Sequence, residues 1–320
     1  MPTPTTTTLL SRCIRRPDGL ILSRDHRYLP DAAGIFRTLV KHGVLTRIGR
    51  GTFVETHRYH ALPGWKRFDL EARAVGATEG RVLAGYSAAA VHGLWRYLPV
   101  PSSHAIYRRS TGGRRISTGP TLVELHAELP DHHVTTVDGE TVTTIERTIV
   151  DLTALHGFGA GFVAACAALR SDISADRIGT CAQRRRGVAH LPLILEHATP
   201  VLESALEAIF LGQTVFFGGF EVIPQVEVPG DSGRRYRVDF QVEGTNQFIE
   251  LDGGAKYGAD EAEQRFVLGK EKSRSDELAR AQVSLNRFGY RAVVEFQAYR
   301  DMLDRLGLPP KPNLPGIHLP

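Results

Sequence analysis

The segment from Arg234 to Asp252 constrains the fold most, because it alternates apolar and polar residues on both sides of a short turn. In "RRYRVDFQV" every second residue from Tyr236 to Val242 is apolar, and in "NQFIELD" Ile249 and Leu251 share one face. A period of two is typical of half-buried strands. Gly244, Thr245 and Asn246 separate the two runs, so the segment predicts a β-hairpin.

Three acidic residues lie within this predicted hairpin, beside side chains that the chain must bury. Glu250 and Asp252 share one face of their strand, about 7 Å apart, and the hairpin register can bring Asp239 close to Glu250. Carboxylates at such separations repel unless a cation lies between them. Mg²⁺ or Mn²⁺ prefers oxygen ligands, so the sequence predicts a metal site of Asp239, Glu250 and Asp252. Alternatively, Asp239 pairs with Arg237 or Arg274, while the other two acids cap or line a solvated edge.

The segment "LPDAAGIFRTLVKHGVLTRIGRGTFVE" predicts a helix that begins at its N-cap Asp31 and ends at Gly43. Its apolar residues recur at helical spacing and form one face: Ile35, Phe36, Leu39 and Val40. Two short strands that turn at residues 49–51 follow the helix. A helix followed by a two-stranded ribbon is the pattern of a winged helix-turn-helix domain.

Basic residues lie on the predicted helix and on or beside the predicted ribbon. Arg37 and Lys41 are one turn apart on the helix, and Arg47 and Arg50 lie on or beside the ribbon. In a winged helix, the helix can enter a major groove while cations of the ribbon contact phosphates. The predicted DNA-binding residues are therefore Arg37, Lys41, Arg47 and Arg50. A small helical domain that mediates protein contacts is the alternative.

The charge distribution agrees with DNA binding at the front of the chain. Residues 1–60 carry 10 Lys and Arg against 4 Asp and Glu, whereas residues 197–320 carry 14 against 18. A basic first segment before an acidic last one fits a first domain that meets a polyanion. A short segment that happens to be rich in arginine is the alternative explanation.

The composition also restricts the compartment. The 3 cysteines lack CxxC spacing, which argues against a disulfide framework and a zinc site and for a reducing compartment. The opening "MPTPTTTTLLSR" has no long apolar core of the signal-peptide kind. No apolar run approaches the roughly 18–20 residues that span a bilayer. We expect a cytoplasmic protein with no membrane partner.

The middle of the chain offers fewer candidates for chemistry. His92 lies on the Ala-rich helix "YSAAAVHG", where a lone histidine is more often a hydrogen-bonded core residue than a catalyst. Arg147 and Asp151 lie four residues apart on a probable helix, where an ion pair is allowed. The pair His132–His133 is expected at the surface, and the run 184–186 of three arginines is expected in a solvated loop.

We predict an α+β protein with three domains and a tail. Residues 1–60 form the winged helix, 61–195 a mixed α/β domain, and 196–309 a mixed sheet flanked by helices. Residues 310–320 are rich in proline and cannot continue a helix.

Two regions carry family resemblances. The motifs "LESALEAIF", "YRVDF", "FIELDGGAKYG", "EKSRSDELARAQ" and "FGYRAVVEF" resemble the DUF559 group of restriction-endonuclease-like domains, relatives of very-short-patch-repair endonucleases. Upstream, the ribbon segment with "YSAAAVHGL" and "GETVTTIERTIVDL" is similar to the AbiEi family of type IV toxin–antitoxin antitoxins. That family couples an N-terminal winged helix to an α/β domain.

The nuclease resemblance implies a catalytic centre and a flanking architecture. It assigns Glu203, on a helix, together with Asp239, Glu250 and Asp252 to a metal pole, and "FGYRAVVEF" to a strand. Position 252 departs from the D…(D/E)-x-K pattern, since a lysine there would stabilise charge on phosphorus. Lys256 is the first candidate to replace it, with Lys270 and Lys272 as others.

Together, these features predict a DNA-binding, antitoxin-like regulator with an endonuclease-like C-terminal domain, and they leave its catalysis open. One alternative is a Mg²⁺-dependent (or Mn²⁺-dependent) DNA endonuclease that hydrolyses phosphodiester bonds. Another is a protein without catalysis that neutralises a toxin partner of the nucleotidyltransferase type.

Overall fold

A computed structural model describes residues 6–78, 80–97, 99–108, 122–183, 185–253, 274 and 276–310. The chain is an α+β protein, and its described residues form three sheets. It divides into two compact units. Unit 1 comprises Met1–Leu94 and Pro99–Asp151, and unit 2 comprises Trp95–Leu98 and Leu152–Pro320. Each sheet lies within one of the three predicted domains, and the three-domain division stays a prediction.

The first part of unit 1 is a three-stranded antiparallel sheet with helices. Its elements are α1 (Thr6–Ser11), β1 (Ile21–Leu22), a 3-10 turn (Ser23–His26), α2 (Ala32–Lys41), β2 (Leu45–Gly49) and β3 (Thr52–Glu55). The strand order is β1-β3-β2. As predicted, the Asp31 side chain caps α2 by accepting from the Gly34 N–H at 3.1 Å. Gly43 follows α2 with φ +69°, a conformation that favours glycine and ends the helix.

The apolar face of α2 differs at one residue from the prediction. Ile35, Phe36 and Leu39 are buried, and Phe36 stacks on Phe53 of β3 with 4.7 Å between ring centroids. Val40 is 37% exposed. The burial of Ile35, Phe36 and Leu39 is therefore confirmed, and the inclusion of Val40 in the core face was wrong.

His26 links the segment after α1 to the 3-10 turn. Its buried ring accepts from the Ile14 N–H at Nε2 (2.7 Å), and Nδ1 lies 2.7 Å from the Leu22 carbonyl. Both contacts are satisfied by the neutral tautomer with its proton on Nδ1. The ring therefore pairs two backbone groups that would otherwise be buried without partners.

The second part of unit 1 is a five-stranded mixed sheet with the order β6-β5-β4-β8-β7. Its strands are β4 (Arg81–Ala84), β5 (His104–Arg108), β6 (Leu122–Leu125), β7 (Val134–Val137) and β8 (Glu140–Thr143). The accompanying helices are α3 (Thr56–Ala61), α4 (Gly64–Gly76), α5 (Gly85–His92) and a 3-10 turn (Asp131–His133). α4 packs tightly on the sheet, since a Cβ at Gly76 would lie 2.9 Å from Leu83 Cδ1 and 2.8 Å from Glu140 Cγ.

His92 is hydrogen-bonded, as expected, and half-buried. Its Nε2 lies 2.7 Å from the Thr143 carbonyl of β8. Burial lowers the pKa of His92, with the Thr143 carbonyl opposing the shift. The neutral ring therefore donates a hydrogen bond that ties α5 to the sheet.

The predicted ion pair between Arg147 and Asp151 is present and buried. Arg147 Nε lies 3.1 Å from Asp151 Oδ1, with the side chains 4% and 0% exposed. The Tyr107 hydroxyl donates to the same oxygen at 2.9 Å, and Arg147 Nη2 donates to the Glu128 carbonyl at 2.9 Å. This network connects β5 and the loop at Glu128 to the start of the next helix.

That helix, α6 (Ile145–Leu169), belongs to unit 1 up to Asp151 and to unit 2 from Leu152. Gly157 interrupts it with non-helical angles, φ 79° and ψ −164°. By length and composition alone it could cross a membrane, since it has 25 residues and contains an 18-residue window with a mean hydropathy of 1.6, so the prediction that no apolar run reaches that length was wrong. However, 72% of the apolar window is buried in the protein, which is typical of a core helix of a soluble protein.

Unit 2 contains a four-stranded mixed sheet with the order β12-β11-β10-β9. Its strands are β9 (Val222–Pro229), β10 (Arg235–Val242), β11 (Gln247–Asp252) and β12 (Ser284–Gly289). The helices are α7 (Ala175–Cys181), α8 (Leu191–His197), α9 (Ala205–Phe217), α10 (Tyr290–Val294) and α11 (Gln297–Arg305). Residues 276–280 are also helical. β9, β10 and β11 pair antiparallel, and β12 adds parallel to β11.

The segment "YRAVV" was predicted to be a strand, and the structure places it in α10 instead. The strand at this place in the sheet is β12, which directly precedes α10 in the sequence and pairs six residues with β11. The backbone carbonyl of Val293 in α10 accepts from the buried Gln213 side chain of α9 at 2.7 Å. Strand propensity in "YRAVV" is therefore overridden by packing against α9.

Candidate functional site

The predicted DNA-binding residues lie on α2 and the β2–β3 ribbon, and all four are exposed. Arg37 Nε contacts the Ala33 carbonyl at 3.4 Å, and Arg47 Nε contacts the Gly49 carbonyl at 3.1 Å. Within the described parts of the chain, no acidic side chain pairs with Arg37, Lys41, Arg47 or Arg50. Their positive charges therefore remain available to an anionic ligand.

The ribbon turn is fixed by its glycine. Gly51 has φ +67°, and a Cβ there would lie 2.5 Å from Ser23 Oγ. The Gly51 carbonyl accepts from the Ser23 N–H at 2.8 Å. This turn ties the tip of the ribbon to the 3-10 turn and leaves Arg50 exposed beside it.

The predicted hairpin is formed by β10 and β11 and brings two of the predicted carboxylates together. Phe240 pairs with Ile249, and the next position of this register sets Asp239 opposite Glu250. Asp239 Oδ2 accepts from the Leu251 N–H at 2.7 Å. Burial raises the pKa of Asp239 to about 6, the Leu251 N–H opposes the shift, and the charges of Glu207 and Glu250 add to it.

Arginine side chains form ion pairs with both oxygens of the Glu250 carboxylate. Its Oε1 pairs with Arg274, and its Oε2 lies 3.0 Å from Arg287 Nε. The alternative prediction paired Asp239 with Arg237 or Arg274, but Arg237 pairs with Glu203 and Arg274 pairs with Glu250. The arginine pairs of Glu250 were not predicted.

Glu203 lies in a different position from the predicted one. It precedes α9 instead of lying within it, and its Oε2 pairs with Arg237 Nη2 at 2.7 Å on the surface. Asp252 is exposed at the end of β11. Lys256, Lys270 and Lys272 lie outside the described residues, as does Arg184 of the predicted basic loop.

Sequence reasoning missed two residues beside Asp239. Glu207, buried in the first turn of α9, accepts from Ser204 Oγ at 2.7 Å and from the Glu203 N–H at 2.9 Å. Gln225 Nε2 donates to Glu207 at 2.8 Å. The spacing of Ser204 and Glu207 is that of a capping box and could have marked the helix start.

Gln225 could not have been identified from sequence. It has φ +56°, which is uncommon for a residue with a side chain. It lies between Pro224 and Val226, which pair with Phe240 and Val238 respectively. This places Gln225 opposite Asp239, where the ladder of β9 and β10 is irregular.

The pairs at Glu250 argue against the predicted metal site, which stays a prediction. Both oxygens of Glu250 meet guanidinium groups, and Glu207 takes hydrogen bonds at both of its oxygens. Among the described residues, no group of three or more His, Cys, Asp or Glu side chains could hold a metal ion. A Mg²⁺ or Mn²⁺ ion at Glu250 would have to displace arginines.

Comparisons with known proteins add little to this description. No family model matches the sequence, and no curated protein is similar to it. Among solved structures, the chain is similar to the RV2827C protein from Mycobacterium tuberculosis, with 16% identity and a TM-score of 0.37. The match covers 55% of this chain and 71% of that one. A likeness at this level carries no argument about function, and the resemblances to the AbiEi and DUF559 families stay predictions.

Proposed function

We propose that the chain is a DNA-binding regulator that contacts duplex DNA through α2 and the β2–β3 ribbon of unit 1. The observation that carries the proposal is the set of exposed cations on these two elements, none of which is paired with an acid among the described residues. Cations of this kind supply the contacts to phosphates that dominate DNA affinity.

The order of elements supports a winged helix. α1, β1, the 3-10 turn, α2, β2 and β3 follow one another, and β1 pairs with β3 at the side away from β2. In a winged helix, the last helix before the ribbon is the one that enters the major groove. Here that helix is α2, whose Arg37 and Lys41 are exposed while its other face is buried.

The salt dependence of DNA binding tests the proposal in the full-length protein. We expect the logarithm of affinity for a labelled duplex to fall linearly with the logarithm of salt concentration. Each cation removed should reduce the slope by about 0.9. The variants R37A, K41A, R47A and R50A, singly and combined, are compared with R291A, a matched control on unit 2 whose side chain is 86% exposed. Equal affinity and slope in the fourfold variant would refute the proposal.

We further propose a toxin of the nucleotidyltransferase type as partner, which rests on the resemblance to AbiEi antitoxins. Coexpression with such a toxin should restore growth if the chain neutralises it. Loss of rescue in the fourfold variant would indicate that neutralisation needs DNA binding, and unchanged rescue would assign it to direct protein contact. Absence of any rescue would remove the partner from the proposal.

The endonuclease alternative stays a prediction with arguments on both sides. The order α9, β9, β10, β11, helical residues 276–280 and β12 gives a mixed sheet flanked by helices, and this supports an endonuclease-like domain. The arginine pairs at Glu250 argue against a divalent cation there. Nicking of plasmid DNA in Mg²⁺ or Mn²⁺ that Asp239→Ala abolishes would establish the alternative over the proposal.

A further inference from the structure

The carboxylate of Glu250 is enclosed by positive charge. It is 16% exposed, and each of its oxygens meets a different guanidinium group. Hydrogen bonds between a guanidinium and a carboxylate are roughly twice as strong as those between neutral groups. Glu250 therefore already has the cationic partners that a buried carboxylate requires.

The fold fixes both arginines at this position. Arg287 is the register partner of Glu250 in the parallel pairing of β11 and β12, so the sheet itself sets the two side chains next to each other. Arg274 donates to the Arg237 carbonyl at 2.6 Å, and its guanidinium lies over the Tyr236 ring, 5.7 Å from the centroid. The pairs with Glu250 thus follow from strand register and from additional contacts.

A divalent cation cannot join this arrangement without cost. It would replace charge-assisted hydrogen bonds at Glu250 and would lie beside two permanently charged guanidinium groups. Like charges at such distances repel, most strongly where the side chains are partly buried. Asp239 offers limited compensation, because one of its oxygens already accepts from the Leu251 N–H.

We propose that Arg274 and Arg287 take the place of a divalent cation at Glu250, so that the sheet of unit 2 excludes Mg²⁺ and Mn²⁺ from its carboxylates. The proposal goes beyond DNA binding by unit 1. It assigns unit 2 an endonuclease-like arrangement of strands in which two arginines hold Glu250 and metal-dependent hydrolysis does not occur.

Titration calorimetry with MnCl₂ on the full-length protein tests this exclusion. Wild type should show no saturable binding up to about 1 mM, the weak end of the range for divalent cations at protein sites. The double variant R274M/R287M keeps the apolar stems and removes both charges. It should gain a saturable site, which the added change Glu250→Gln should abolish. R291M, which removes an exposed arginine nearby in sequence, should behave as wild type.

Each outcome decides the proposal. Saturable binding by wild type that Glu250→Gln abolishes would overturn it, as would a folded double variant that gains no site. Circular dichroism reports folding of each variant. If the double variant does not fold, the single variant R287M decides, because Arg287 is 45% exposed and its replacement leaves the contact of Arg274 with Tyr236 in place. A gain of Mn²⁺ affinity in R287M supports the proposal, and no gain overturns it.

Discussion

Replacing Arg147 with methionine tests how strongly unit 1 depends on its buried ion pair. The change removes the contact to Asp151, whose side chain is 0% exposed, and the hydrogen bond to the Glu128 carbonyl. Removing one partner of a buried pair costs ~3–5 kcal/mol, because the other charge stays buried without compensation. For a unit of this size, we expect a fall in melting temperature of roughly 10 °C.

A second substitution separates the lost charge pair from lost packing. In the double variant R147M/D151L the carboxylate that has lost its arginine is gone as well, so the double variant should recover ~2 kcal/mol relative to R147M. The Tyr107 hydroxyl, which donates to Asp151, would keep a deficit of ~1 kcal/mol. The exposed pair of Arg291 and Glu295 serves as control, and R291M should cost less than about 0.5 kcal/mol.

The assay must distinguish unit 1 from unit 2. Hydrogen exchange with peptide resolution does so, because peptides from residues 81–94, 99–108 and 122–151 report unit 1 only. Thermal melting by circular dichroism gives the accompanying temperature shift. A loss below ~1 kcal/mol in R147M, or a double variant no more stable than R147M, would refute the reasoning.

Three further predictions concern single side chains. Gly76→Ala should destabilise unit 1 by ~1–3 kcal/mol in urea titrations, because the added Cβ overlaps its neighbours, whereas Gly64→Ala, with open space around it, should change stability by less than ~0.5 kcal/mol. His26→Phe should cost ~1–3 kcal/mol by leaving two backbone groups without partners. Asp239 has a raised pKa of about 6, so its contribution to stability is present at low pH and is lost as pH rises through about 6. Asp239→Asn should therefore gain roughly 1 kcal/mol on wild type between about pH 5 and about pH 8, after discounting for solvent screening. If the difference in stability between Asp239→Asn and wild type stayed constant across that pH interval, the raised pKa of Asp239 would be contradicted.

The sequence by itself determined the local elements. The helix α2 begins at Asp31 and ends before Gly43, because capping groups and left-handed glycine conformations act over a few residues. The hairpin of β10 and β11 follows from alternation with a period of two. The ion pair of Arg147 and Asp151 was predictable for the same reason, since four residues correspond to about one helical turn.

Where sequence reasoning failed, a contact distant in sequence had overridden a local preference. The residues of α10 have the β-branched and aromatic composition of a strand, yet the position beside β11 is taken by β12. Phe36 and Val40 both have the helical spacing of core residues, but Phe36 stacks on Phe53 whereas Val40 is 37% exposed. Propensity and periodicity do not show which of two residues with suitable spacing becomes buried against a neighbouring element.

Only the tertiary structure decided which cation meets which acid. Glu250 meets Arg287 because two strands far apart in the sequence pair in parallel with one particular register. Glu203 meets Arg237, while Glu207 lies near Asp239 together with Gln225. The sequence showed that these carboxylates needed positive or hydrogen-bonding partners, which is a property of the residues alone. The identity of each partner depends on register and loop closure, and neither is encoded within a few residues of the acid.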